Sequence, residues 1–152
     1  MPLSFNQKAP DFTLTDTHGQ KFTLSKNAAG KPLIIFFYPK DFTNECTKEV
    51  CGFRDNFAVY RDLDINVIGI STDSVKRHQE FKSKYNLPFE LLSDITGNVS
   101  KAYKAKLPFI NMSKRITYLL NKDHKVIKIR DGLLDGSKHV EEMTKAIERL
   151  NN

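Results

Sequence analysis

The sequence predicts an α/β fold: a mixed central sheet flanked by helices on both faces, with an N-terminal β-hairpin. Three observations carry this. "KPLIIFFYP" and "INVIGIS" are near-continuous apolar runs, as expected of strands covered on both faces. The stretch between them has apolar residues at helical spacing, giving a βαβ unit. "RITYLLNKDHKVIKIRDG" reads as two strands joined at a polar turn, so the sheet cannot be wholly parallel. The 152 residues amount to one ordinary domain, expected to span 1–152.

The elements follow in order. "DFTLTDTHGQKFTL" has two short β-prone runs around a polar connection containing Gly19, the pattern of a hairpin. In "NECTKEVCGFRDNFAVYRDL", Cys46, Val50, Phe53, Phe57 and Tyr60 share one helical face, which predicts a single helix. "DSVKRHQEFKSKYN" is a polar helix with Phe81 and Tyr85 turned inward. "FELLSD" and "NVSKAY" read as a short strand and a short helix, and "SKHVEEMTKAIERL" as an amphipathic C-terminal helix. Hairpin, β, α, β, α, a short β–α, β-hairpin, α is the thioredoxin architecture with an N-terminal hairpin and an insertion. No repeat, linker or low-complexity segment divides it.

Composition narrows the function classes. The net charge of +6 comes from lysine-rich stretches such as "VKRHQEFKSKY" and "SKAYKAK", but acidic residues are distributed through most of the chain. That pattern fits a solvated surface rather than a one-sided nucleic-acid stripe, so no nucleic-acid partner is expected. No stretch approaches the ~20 apolar residues of a membrane span, and no membrane partner is expected. "MPLSFNQKAPDF" does not resemble a signal peptide. The expected compartment is the cytoplasm, where two cysteines are more often reactive than permanently bridged.

Those cysteines, Cys46 and Cys51, are the only two in the chain and are spaced C-x4-C. Cys46 falls in the opening turn of a helix that follows a strand, with Thr43 or Asn44 as N-cap. Unpaired N–H groups and the helix dipole stabilise a thiolate there. An ordinary cysteine, with pKa ~8.5, is only a few per cent thiolate at neutral pH. Lowering that value to ~6 requires roughly 3.4 kcal/mol. A helix end supplies ~0.3–1 and at best ~2 kcal/mol, so a cation must contribute, and the neighbouring Glu45 opposes it. Six arginines are available, and the sequence pattern does not choose among them.

Residues five apart on an intact helix have Cα atoms roughly 8–9 Å apart and point about 140° apart around the axis. A disulfide needs less than about 7 Å. Bonding Cys46 to Cys51 therefore requires the helix start to unwind, a change that Gly52 eases by ~1 kcal/mol relative to alanine. Inert core cysteines are a competing reading. So is a metal pair, which the scattered His18, His78, His124 and His139 do not support. A thioredoxin-type dithiol normally uses C-x-x-C. The four histidines lie in polar or turn-like stretches and read as surface residues.

"YPKDFTNECTKEVCGFRD" closely resembles the active-site segment of the peroxiredoxins, and within them the bacterioferritin comigratory protein or peroxiredoxin Q group. The match is the P-x-x-x-T-x-x-C signature (Pro39, Thr43, Cys46) with a second cysteine five residues on. "APDFTL", "VIGISTDS", "LLSD" and "RITYLLNKDHKV" are similar to that group's segments in the same order. The resemblance implies Cys46 as the peroxidatic and Cys51 as the resolving cysteine. It implies Thr43 as the hydroxyl at the reacting centre, Pro39 as the shield of the thiolate and Arg115 as the facing arginine. Glu49 is implied as the support of that arginine. Arg54 is the next candidate for the cation.

The resemblance further implies a peroxidase acting on hydrogen peroxide and organic hydroperoxides and recycled by thioredoxin or a similar dithiol. It implies no metal, haem, flavin or nucleotide cofactor. A monomer is expected, since both cysteines lie in one chain. A protein thiol–disulfide oxidoreductase and a non-catalytic thioredoxin-fold binding module are the alternatives. The sequence departs from the group at Asn44-Glu45, where many relatives have Pro-Gly. It departs again at His124, a turn position often held by Gly, where the change is expected to concern only the hairpin.

Overall fold

The computed structural model describes residues 1–132 and 136–150. The remainder of the predicted 1–152 domain, residues 133–135 and 151–152, lies outside the described residues. The strands are β1 (Thr13–Thr15), β2 (Lys21–Thr23), β3 (Leu33–Phe37), β4 (Asn66–Ser71), β5 (Glu90–Ser93), β6 (Ile116–Leu120) and β7 (Val126–Asp131). They form a seven-stranded sheet in the order β2-β1-β5-β4-β3-β6-β7. β3, β4 and β5 run parallel, while β6 lies antiparallel beside β3 and β7 antiparallel beside β6. The predicted mixed sheet is therefore observed.

The helices are α1 (Leu24–Asn27), α2 (Asn44–Asp55), α3 (Phe57–Asp62), α4 (Val75–Tyr85), α5 (Asn98–Ala102) and α6 (Gly136–Leu150). Strand β3 divides the interior by its period of two. Leu33, Ile35 and Phe37 face a core with Leu3, Phe12, Leu24 and Tyr103, covered by the N-terminal segment, α1 and α5. Ile34, Phe36 and Tyr38 face a second core with Val50, Phe53, Tyr60, Phe81, Met143 and Ile147, covered by α2, α3, α4 and α6. Fully burying each such side chain contributes about 1.5–3 kcal/mol.

Two local expectations change. The predicted single helix over 44–63 is two, because Asn56 closes α2. Its backbone N–H and its side-chain Nδ2 both donate to the Gly52 carbonyl, at 3.2 and 2.9 Å. α1 was not expected at all. Three of the four histidines are also buried, contrary to the surface reading: His78 and His139 are 0% exposed and His124 7%. His124 adopts a left-handed φ of 60°, and its Nε2 donates 2.7 Å to the Ala28 carbonyl, so it ties the hairpin to the turn after α1.

α2 and α6 touch through glycines. A Cβ on Gly136 would stand 2.6 Å from the Glu45 carbonyl oxygen, and one on Gly52 would stand 2.9 Å from Val140 Cγ2. Gly52 thus lets two helices approach, besides any loosening of α2.

Candidate active site

The register of the sheet assembles the site. Ile116 pairs with Phe37, so Arg115 lies beside Tyr38, where β3 gives way to the loop leading into α2. Ile116, Tyr118 and Leu120 pack into the first core, which turns Arg115, Thr117 and Leu119 toward the face that carries α2. Cys46 is the third residue of α2, 0% exposed.

Arg115 Nη2 donates to Cys46 Sγ at 3.1 Å, and Nη1 donates to Glu49 Oε1 at 2.6 Å. One guanidinium, 2% exposed, thus spans a thiol and a carboxylate that water does not reach. Burial pushes Glu49 up to about 7 even with Arg115 beside it. Arg115 itself is held above its ordinary value: the charges of Glu49 and Cys46 outweigh its own desolvation.

Thr43 occupies the N-cap position (φ −80°, ψ 155°), but its side chain does not cap the helix. Its hydroxyl donates to the Lys40 carbonyl at 2.9 Å, so the side-chain cap expected there is not made. Thr43 is exposed at the mouth of the site, and Pro39 is half-buried at the start of the loop. Glu45, expected to oppose a thiolate, is drawn aside. Its carboxyl is held below the usual range by Lys48 and, secondarily, by the Gly136 N–H.

Cys51 is half-buried in the same unbroken helix, and both thiols are free. Burial pushes the Cys51 thiol up, so it stays protonated while packed. Arg54 serves that end of the helix. It donates to Asp55 at 3.0 Å and to the Tyr85 carbonyl at 2.9 Å, and its charge acts on Cys51. It does not replace Arg115.

The loop before α2 is fixed from beneath by residues the sequence reading passed over. Tyr38 Oη donates to Asp41 Oδ1 at 2.5 Å, and His78 Nδ1 lies 2.6 Å from Asp41 Oδ2. Asp41 N–H donates to Asp73 Oδ2 at 2.9 Å. Burial and the Asp41 charge hold the Tyr38 phenol well above its ordinary value, so it remains a donor. Asp41, Asp73 and His78 bring ligand-type atoms within 4.8 Å of one another, but each is engaged in this network, which fits a hydrogen-bonded clamp rather than a metal centre. Phe42 takes a left-handed φ of 69°, a strain of order 1–3 kcal/mol. Its ring is held 4.9 Å from that of Phe81 and under the Arg77 guanidinium.

Thr117 and His139 were also missed. Helical periodicity could have found both histidines: His78 precedes Phe81 and Tyr85 by three and seven, and His139 precedes Met143 and Ile147 by four and eight.

A thioredoxin-like sheet with a buried thiol under a guanidinium at a helix start defines a thioredoxin-fold enzyme of cysteine chemistry. The chain belongs to the AhpC/TSA family, which it matches over residues 5–129. It is 40% identical over 134 residues to peroxiredoxin Bcp of Bacillus subtilis, covering 84% of this chain and 85% of that one. The structure of peroxidoxin BcpB from Mycobacterium tuberculosis superposes with a TM-score of 0.91 at 28% identity, over 97% of this chain and 98% of that one. The bacterioferritin comigratory protein of Xanthomonas campestris, studied for alkyl peroxide reduction through trapped intermediate and ligand complexes, gives 0.85 at 26% identity, over 93% and 92%. The expected peroxiredoxin group and thioredoxin-like fold are borne out, and the protein is a thiol peroxidase. No helix among the described residues is long and apolar enough to cross a membrane.

Proposed function

We propose that Cys46 is the peroxidatic cysteine and Cys51 the resolving cysteine of this peroxidase. The observation that carries the reading is the 3.1 Å bond from Arg115 to the Cys46 sulfur in a fully buried site. A charge-assisted bond of about 1.5–3 kcal/mol, added to the helix end, supplies the stabilisation that the dipole alone lacks.

The Cys46 thiolate attacks the terminal oxygen of a hydroperoxide. The S–O bond forms as the O–O bond breaks, and the departing hydroxide or alkoxide takes up a proton. Arg115 and the open N–H groups of α2 stabilise the charge growing on that oxygen. The Thr43 hydroxyl exchanges its Lys40 carbonyl partner for the peroxide. Pro39 keeps bulk water from the sulfur, and Glu49 orients Arg115.

Cys46 is left as a sulfenic acid. The start of α2 unwinds and Cys51, no longer packed, attacks that sulfur. The S–S bond forms and water leaves. An external dithiol, thioredoxin or a similar reductant, then returns two electrons by exchange.

Hydrogen peroxide and organic hydroperoxides are both substrates, the latter supported by the Xanthomonas relative. The working unit is a single-domain monomer in the cytoplasm. It needs no metal, haem, flavin or nucleotide, and no nucleic-acid or membrane partner. Family membership favours this over a protein oxidoreductase or a binding module.

Peroxide consumption driven by thioredoxin and its reductase tests the reading. Cys46→Ser loses turnover. Cys51→Ser consumes about one equivalent and stalls as a trappable sulfenic acid. Turnover near the parent rate in Cys46→Ser would sink the assignment.

A further inference from the structure

His139 is fully buried beside the proposed site, yet the cycle above makes no use of it. Its Nε2 lies 2.8 Å from the Gly132 carbonyl and its Nδ1 lies 2.7 Å from the Thr117 hydroxyl oxygen. A carbonyl only accepts, so the proton of the neutral ring is on Nε2 and Nδ1 is an acceptor. What Nδ1 accepts is the single hydroxyl proton of Thr117. That proton is then withheld from Glu49, whose Oε2 lies 3.4 Å from Thr117 Oγ1 and 3.5 Å from Nδ1. The single lone pair of Nδ1 is taken up by that proton, and the hydroxyl oxygen is left with a lone pair for the carboxyl.

We propose that His139 and Thr117 are positioning residues for the peroxide step: His139 holds the Thr117 proton away from Glu49, which leaves more of the Arg115 charge to Cys46. This rests on the roles proposed above for Cys46 and Arg115.

The charges around the pair agree with it. Burial drives His139 down to about 4, with Arg115 and Arg130 acting in the same direction and the Gly132 carbonyl and Asp131 opposing, so the ring is neutral near pH 7. Glu49 is pushed up to about 7 by burial, with Glu45 reinforcing and Arg115 opposing; a Thr117 hydroxyl turned to the carboxylate would oppose as well, and that is the contact His139 draws away at 2.7 Å. When Glu49 takes a proton, Thr117 Oγ1 is an acceptor within reach. When it loses one, Arg115 Nη1 is its charge-assisted donor, at 2.6 Å. A full carboxylate competes with the sulfur for the guanidinium, and a protonated carboxyl does not.

The test reads Glu49 directly, by its side-chain carboxyl carbon in NMR, with no peroxide present. His139→Leu frees the Thr117 hydroxyl to turn to Glu49. The Glu49 titration midpoint then moves down by roughly one pH unit, and the rate of Cys46 with peroxide at pH 7 falls ~3–10-fold. His139→Leu combined with Thr117→Val removes the freed proton, so the midpoint climbs back toward that of Thr117→Val alone and the rate recovers with it. A merely structural role for His139 predicts no such recovery on a second truncation.

Should His139→Leu fail to fold, Thr117→Val alone is informative. It takes an acceptor from protonated Glu49 and no donor from the carboxylate, so the midpoint stays at about 7 or falls. A rise in Thr117→Val, the mark of a hydroxyl already donating to Glu49, overturns the proposal. So does an unmoved midpoint in His139→Leu, or a midpoint that moves with no change in rate. That last result leaves the assignment of Cys46 intact, which Cys46→Ser tests separately.

Discussion

His78 on α4 and His139 on α6 use the same device with different consequences. Each is fully buried, each donates from Nε2 to a backbone carbonyl (Leu92 at 3.1 Å, Gly132 at 2.8 Å), and each thereby turns Nδ1 to a side chain. For His78 that side chain is the Asp41 carboxyl at 2.6 Å, with one proton between them, so the acid is answered on the spot. For His139 it is the hydroxyl of Thr117 at 2.7 Å, and the nearby acid, Glu49, is left to an arginine that also serves the sulfur. The first cluster closes on itself and fixes a loop. The second stays open by one donor, and its charge extends to the Cys46 sulfur. What distinguishes scaffold from chemistry here is the partner of one ring nitrogen.

The largest effect is expected where the open cluster meets the thiol. Arg115→Ala should lower the rate of the first peroxide reaction ~10²–10³-fold, measured by stopped flow, with little change in dithiol reduction of the preformed disulfide. Arg115→Lys should also be poor, since a point charge cannot span Sγ and Oε1 as the planar fork does. A rate within twofold of the parent in Arg115→Ala would erase the distinction between the clusters.

Asp41→Asn strikes the closed cluster. It should cost about 1–3 kcal/mol in urea unfolding, because His78 and Tyr38 lose a buried acceptor of charge. The thiolate absorbance of the folded protein should change little. A large loss of thiolate with intact stability would show that the loop clamp also carries charge to Cys46.

The smallest effect is a cancellation. Glu49 binds its proton more tightly when folded (about 7, against the ordinary 4.5), so between those values the unfolded chain gives up the proton first and stability falls as pH rises. His139 binds its proton less tightly when folded (about 4, against 6.5), so between those values the unfolded chain holds the extra proton and stability rises with pH. Between 4.5 and 6.5 the slopes, each at most about 1.4 kcal/mol per pH unit, oppose one another. The parent should therefore show little net dependence from this cluster. Glu49→Gln should expose the rising limb of His139 in urea melts across that range. A flat profile in Glu49→Gln would mean that His139 already binds its proton when folded.

Much of this was legible in the sequence. The continuous apolar runs of "LIIFFY" and "ITYLL" mark strands buried on both faces, whereas Arg115 is singled out by the family resemblance alone, since its place beside β3 depends on the strand order. The position of Cys46 follows from a strand running into a helical pattern. The buried histidines were overlooked because their helices are rich in lysine and glutamate, which hides a four-residue apolar stripe. Thr117 was hidden in another way: one hydroxyl in an apolar strand looks like ordinary β propensity until its partner on α6 is known. The break at Asn56 depends on a side chain reaching back to the Gly52 carbonyl, a choice no periodicity reveals. The contact of Gly52 with Val140 is likewise a matter of which helix lies opposite.

That break sets a clock. Because Asn56 ends α2, a disulfide between Cys46 and Cys51 requires rearrangement within a 12-residue element, and α3 can keep Tyr60 in the core throughout. Free helices of about 20 residues exchange with coil in ~0.1–1 μs, so the helix itself imposes almost no delay. The wait in the proposed cycle then lies in freeing the packed face of α2, from Val50 and Phe53 in the core to its close approach to α6 at Gly136 and Gly52. In the proposed cycle, the lifetime of the sulfenic acid, and with it the chance that a second peroxide arrives first, is written in the fit between those two helices.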